Sequence, residues 1–145
     1  MNASKRALRR WAGSSWTCRL ATGPANLRVS TDVCELLFTT TICQAETLSG
    51  LAIMPEGRRR LDLVAAARSM FAEDFEGRVL PFDMDAAAAY ADIFAARRRV
   101  GRPAATATVD LMIAAVARSQ GASVVTRNVA DFEECGVAIV NPWAA

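Results

Sequence analysis

The chain has no histidine, and Lys5 is its single lysine. Without an imidazole, Ser-His-Asp and Cys-His hydrolases, HExxH metalloproteases and most zinc sites cannot be assembled. No GxxxxGK[ST] or GxGxxG stretch occurs, which removes the common phosphate-cradling loops. No clean apolar run of about 20 residues is present. The 52% hydrophobic content therefore points to the core of a soluble, cytoplasmic protein and not to a membrane. The four cysteines, Cys18, Cys34, Cys43 and Cys135, lack CxxC spacing or a regular framework. They are expected to be reduced thiols, mostly filling the core. At 145 residues the chain suits one domain with a real core.

Acid is also missing from one stretch. Residues 1–31 carry Lys5, Arg6, Arg9, Arg10, Arg19 and Arg28 with no Asp or Glu, a charge of +6. Residues 32–145 carry 11 arginines against 15 acids, a charge of −4, which brings the net charge to +2. The basic stretch has no helical or strand period and no apolar region or cleavage signature for secretion. It reads as an ill-fitting, poorly ordered extension, with a basic arm for nucleic acid as the other option. The folded domain is expected over residues 32–145.

What is present from Glu35 onward alternates. "LLFT" (36–39) predicts a strand, and Thr41 with Gln44 makes a capping-box pattern opening a helix over about 42–53. A second helix is expected over about 58–75, with Leu61, Val64, Ala65 and Phe71 on one side. "RVLPF" (78–82) is a short strand, at an edge because of Pro81. Asp83 caps a helix over about 84–99, which ends in "RRRVGRP". Another helix spans about 107–120 and stops at Gly121. "SVVT" (123–126) and "VAIV" (137–140) are the remaining strands. Apolar strands separated by helices predict an α/β fold with a parallel sheet covered on both faces.

Ligands of such sheets bind beyond the carboxyl ends of the strands, and three acids map there. Glu46 follows the strand at 36–39 and shares a helix face with Ile42, Ser49 and Ile53. Asp110 heads the helix of residues 107–120. Asp131 follows the strand at 123–126 after "RNVA". Each acid also has a plain reading: a solvated helix glutamate, a complement to the helix dipole, and a turn residue helped by Asn128. Taken together they outline one acidic pocket. Clustered carboxylates repel unless a hard cation neutralises them, which implies Mg²⁺ or Mn²⁺. Arg97, Arg98, Arg99, Arg102 and Arg127 are then candidates to hold an RNA backbone, or else solvated charges at a helix end. A rival reading of "VLPFDMD" (79–85) as an aspartate-nucleophile phosphatase motif lacks its partners. Ala87 stands where Thr or Val is usual, and no lysine is available beyond Lys5.

The stretches "LFTTTICQAETLSGLAIMPEGRRR", "GRVLPFDMDAAAAYADIFAARRRVGRP" and "TVDLMIAAVARSQGASVVTRNVADFEECGVAIVNPW" resemble PIN-domain ribonucleases of the VapC toxin type, particularly the FitB-like branch. The resemblance implies a three-layer α/β/α sandwich with a parallel sheet and an acidic Mg²⁺ or Mn²⁺ pocket. It places the second family acid on Glu46, the third on Asp110 and the fourth on the "TRNVADF" loop, where Asp131 is the only acid. It further implies a toxin that cleaves single-stranded RNA, a homodimer, and a VapB-like antitoxin that blocks the pocket. The family opens with a strand ending in Asp, in a motif like "LDTNV". Residues 1–31 contain no counterpart, and Asp32 in "VSTDVCELL" is too close to Glu46 to serve. The first catalytic strand is therefore expected to be replaced by the basic segment, as in a frameshifted or rearranged reading frame. Activity is expected to be impaired by loss of that acid, and the alternative is an inactive toxin remnant that binds antitoxin or dimerises.

Overall fold

The computed structural model describes residues 19–21, 37–102 and 108–141. Cys18, Cys34 and most of the basic segment lie outside the described residues, as does Asp32. The elements run β1 (Arg19–Ala21), β2 (Leu37–Thr40), α1 (Thr41–Ala52), α2 (Arg58–Ser69), a π-helical turn (Met70–Asp74), β3 (Val79–Leu80), α3 (Met84–Arg99), α4 (Thr108–Ser119), β4 (Ser123–Val125), α5 (Val129–Phe132) and β5 (Ile139–Val140). The result is helix-rich α/β, as expected, and the sheet order is β3-β2-β1-β4-β5.

Two pairings are parallel, β2 with β3 and β4 with β5. The strand between these pairs is not. β1 runs antiparallel to both neighbours, with Leu20 opposite Phe38 and Val124. The expected parallel pairing thus holds for β2–β3 and β4–β5, and β1 alone makes the sheet mixed. A three-residue strand from the basic segment closes the gap between β2 and β4, so neither presents a bare edge there. Because β1 is reversed, its amino end lies level with the carboxyl ends of β2 and β4; Arg19 pairs with Val125.

Helix starts follow local chemistry. α1 begins one residue earlier than expected because Thr40, not Thr41, is the cap: its Oγ1 accepts from the Cys43 amide at 3.1 Å. The same hydroxyl donates to Cys43 Sγ at 3.2 Å inside the core. α1 buries Cys43, Thr47 and Leu51, while Ile53 is 87% exposed, so its apolar face is not the Ile42–Ile53 face. α2 departs further. Of its residues only Ala67 is buried, and Leu61 is 70% exposed, because α2 lies at the surface over α1 and the π turn. Asp83 caps α3 as expected, accepting from the Ala86 amide at 2.9 Å.

The core lies where α3 and α4 pack together against the sheet. Ile93, Leu111, Ala114, Ala115, Val116, Ala117 and Val124 are wholly buried there, with Phe132 and Cys135 closing one side. Cys43 and Cys135 are buried in the core, as expected. Gly101 ends α3 at φ 73°. Its amide donates to the Arg98 carbonyl and the Arg102 amide to the Arg97 carbonyl, a left-handed cap that only glycine adopts cheaply. Gly121 ends α4 in the same manner at φ 61°. Among the described residues no helix is long and apolar enough to cross a membrane.

Candidate active site

β2 passes directly into α1, and one and a half turns in stands Glu46, half-buried. Asp110 occupies the first turn of α4, also half-buried, where the unpaired amides of a helix start favour a carboxylate. Asp131 lies beyond β4 on α5, a four-residue helix where the sequence had suggested a simple turn. "NVADF" is too short to declare a helical period, which is why this element escaped a pattern-based reading.

Of the three acids, Asp110 is the one electrostatically linked to both others. Burial raises the Glu46 carboxyl above its ordinary range, and the charge of Asp110 raises it further. Burial likewise raises Asp110, followed by the charge of Asp131; the Arg97 cation opposes both. Asp131 has an additional partner, its carboxylate accepting from the Asn128 side-chain amide. The sequence leads one to expect Asn128 to support Asp131 in a turn, and the structure gives that support as this side-chain hydrogen bond. Among the described residues no three acid or thiol side chains form a ready group that holds a metal ion. The acids are within electrostatic reach of one another but do not form a closed cage.

The donor chemistry nevertheless suits a hard divalent ion. The oxygens on offer are carboxylate, and the charge of Asp110 is coupled to those of both Asp131 and Glu46. Mg²⁺ is commonly held by one or two carboxylates with waters completing the octahedron, so a closed protein cage is not required. Asp110 with Glu46 fits that description, and Asp131 would join them on releasing Asn128.

The arginines separate into distinct environments. Arg97 is only 4% exposed, so the expectation that it grips an RNA backbone is corrected. Its Nη1 donates to the carbonyls of Asp131 at 2.8 Å and Glu133 at 3.1 Å. The signal was in the spacing, since Arg97 is in phase with buried Ala86 and Ile93 on α3 while Arg98 and Arg99 are not. Arg98 is exposed, with its guanidinium 5.9 Å from the Phe94 ring centroid. Arg102 pairs with Glu133 at 2.7 Å and donates to the Ala130 carbonyl at 3.0 Å. Arg127 is exposed just past β4.

Residues 25–136 match the PIN domain family. This chain belongs to the PIN domain family. It is 40% identical over 111 residues to plasmid stability protein StbB of Pseudomonas syringae pv. tomato, covering 77% of this chain and 78% of that protein. It is 38% identical over 115 residues to VapC ribonuclease Y4jK of Sinorhizobium fredii, covering 79% and 81%. The crystal structure of FitAcB from Neisseria gonorrhoeae superimposes with a TM-score of 0.68 at 32% identity, covering 74% of this chain and 76% of that one. Relatives and structural neighbours thus include VapC- and FitB-type members of toxin–antitoxin systems, and the resemblance read from the sequence is borne out. The match begins ahead of residue 32, inside the segment expected to lie outside the domain.

Proposed function

We propose that this chain is the toxin of a toxin–antitoxin pair, a divalent-metal-dependent endoribonuclease that cleaves single-stranded RNA in the cytoplasm. The observation that carries the reading is the half-buried carboxylate pair of Glu46 and Asp110, each destabilised as an anion by burial and Glu46 further by its neighbour's charge. Acids that served only solubility would sit in water. A cation held between them would offset both the burial and the mutual repulsion. Asp131 is the third acid of the same site.

A bound Mg²⁺ or Mn²⁺ would supply the positive charge that neutralises the carboxylates and the charge developing on a phosphodiester. The chain's own residues do the rest. Glu46 and Asp110 would hold the ion from α1 and α4. Asp131 approaches from α5, exchanging its Asn128 partner for that role. Arg98 and Arg127, both exposed, contact the RNA backbone, and Arg102 contributes less because its guanidinium is engaged with Glu133. A VapB-like antitoxin covers the site, and the toxin works as a homodimer; the similarity to toxin–antitoxin complexes supports the antitoxin.

A second reading has its own support. The first family acid has no counterpart in residues 1–31, and the described acids form no closed group. On that reading the chain is an inactive toxin remnant that binds antitoxin or dimerises. Mn²⁺ calorimetry with an RNase assay decides. Saturable Mn²⁺ binding and cleavage that Asp110→Asn abolishes support the nuclease. No Mn²⁺ binding and no cleavage leave the remnant, and cleavage indifferent to Asp110→Asn rules out this site.

A further inference from the structure

The segment that carries Asp131 has little to hold it in place by itself. α5 has four residues, far below the length at which a helix is stable alone. Phe132 anchors it in the core, and its backbone is held in addition from the end of α3, through two arginines. From inside, Arg97 Nη1 donates to the carbonyls of Asp131 and Glu133 and lies 3.8 Å from Cys135 Sγ. From outside, Arg102 Nη1 donates to the Ala130 carbonyl, and its Nη2 pairs with the Glu133 carboxylate. The Gly101 cap sets the two side chains on either side of the segment, since it turns the chain so that the Arg102 amide reaches the Arg97 carbonyl.

Arg97 is an unusual choice if stability were its only purpose. Its Nε is buried without a hydrogen-bond partner. Among the described residues no carboxylate lies within ion-pair distance of it. A buried cation left in this state costs more than an apolar side chain of similar volume would. The opposite charge it faces is the acidic site itself, where it counteracts the effect of burial on Asp110.

We propose that Arg97 and Arg102 are positioning residues that clamp the segment 130–133 from its two sides and so set where the Asp131 carboxylate stands relative to Asp110. This rests on the reading of Glu46, Asp110 and Asp131 as the active site. The clamp accounts for a buried guanidinium spent on backbone carbonyls, and for two arginines of "RRRVGR" lying apart from the exposed pair Arg98 and Arg99.

The test uses the full chain and three variants, Arg102→Met, Arg97→Met and Arg97→Lys. Amide hydrogen exchange is read at residues 129–135, with α4 and β4 as internal controls, and Mn²⁺ affinity is measured by calorimetry. Arg102→Met, at the surface, is expected to fold normally, to speed exchange at 129–135 alone, and to weaken Mn²⁺ binding. Arg97→Met is expected to weaken Mn²⁺ by about 10-fold or more, the range seen when a partner behind a metal ligand is removed. Arg97→Lys, which keeps the cation, should recover part of that loss; a merely space-filling role would favour Met over Lys. Unchanged exchange in Arg102→Met overturns the clamp. Faster exchange with unchanged Mn²⁺ affinity overturns its role at the site. A wild-type chain that binds no Mn²⁺ sinks the nuclease reading, and the positioning role falls with it.

Discussion

Replacing Asp110 by Asn should make the metal-free protein more stable and the metal-loaded protein less so. Asp110 is the acid whose charge reaches Glu46 and which in turn feels Asp131, so one substitution relieves both repulsions. The sign follows from the raised carboxyls. A group whose folded value lies above its ordinary one, 3.8 for Asp110 and 4.5 for Glu46, favours the fold while protonated. That contribution is complete below those ordinary values and is lost as pH rises through the raised folded ones. At pH 7 and in chelator, wild type therefore carries an electrostatic penalty that Asp110→Asn removes. With metal the order inverts. At an Mn²⁺ concentration about 100-fold above Kd, binding stabilises wild type by about 2.7 kcal/mol. At roughly 3–4 °C per kcal/mol for a chain of this length, the melting temperature rises by about 8–11 °C. If losing the central ligand costs about 100-fold in affinity, the same Mn²⁺ stabilises the variant by only about 0.4 kcal/mol, or roughly 1–2 °C. Thermal melts of both proteins in chelator and in Mn²⁺, repeated between pH 4 and 8, decide the matter. A variant no more stable than wild type in chelator at pH 7 refutes the electrostatics, and one that keeps the full Mn²⁺ shift refutes the site.

Thr40→Val removes the cap that starts α1 and leaves the Cys43 amide without its acceptor; a loss of about 1 kcal/mol is expected in urea denaturation, with weaker Mn²⁺ binding because Glu46 rides on that helix. Asp83→Ala removes the α3 cap at the same approximate cost, and since its carboxylate is engaged with the Ala86 amide and is not among the charges that shift Glu46 or Asp110, the Mn²⁺ dissociation constant measured by calorimetry should not move. Leu111→Ala, in the first turns of α4 and wholly buried, should cost about 2–5 kcal/mol in the same denaturation experiment. Arg98→Ala with Arg127→Ala should weaken RNA binding and flatten the salt dependence by about 0.7 in log–log slope per lost phosphate contact; a slope equal to wild type shows that neither touches the backbone.

Much was legible in the sequence because its causes are local. Alternating apolar strands and helices, the Asp83 cap, the Gly101 and Gly121 stops and the order of Glu46, Asp110 and Asp131 all depend on residues a few positions apart. The PIN resemblance added the family and its fold, and the family match agrees. Other features depend on what lies across space. Ile53 and Leu61 have the spacing of buried residues, yet they remain exposed, because a helical pattern marks a face without saying what covers it. Arg97 looked like one of a run of solvated arginines and is enclosed, since the packing of α3 on α4 decided which of the run turns inward. Nothing in residues 1–31 announced that Arg19–Ala21 would pair between β2 and β4, because backbone hydrogen bonds across a sheet are indifferent to side-chain pattern over so short a strand. The sequence by itself thus determined which segments become helices and strands and which acids stand at their ends. Only the tertiary structure decided which charges meet, since burial and mutual repulsion arise between residues that are distant along the chain.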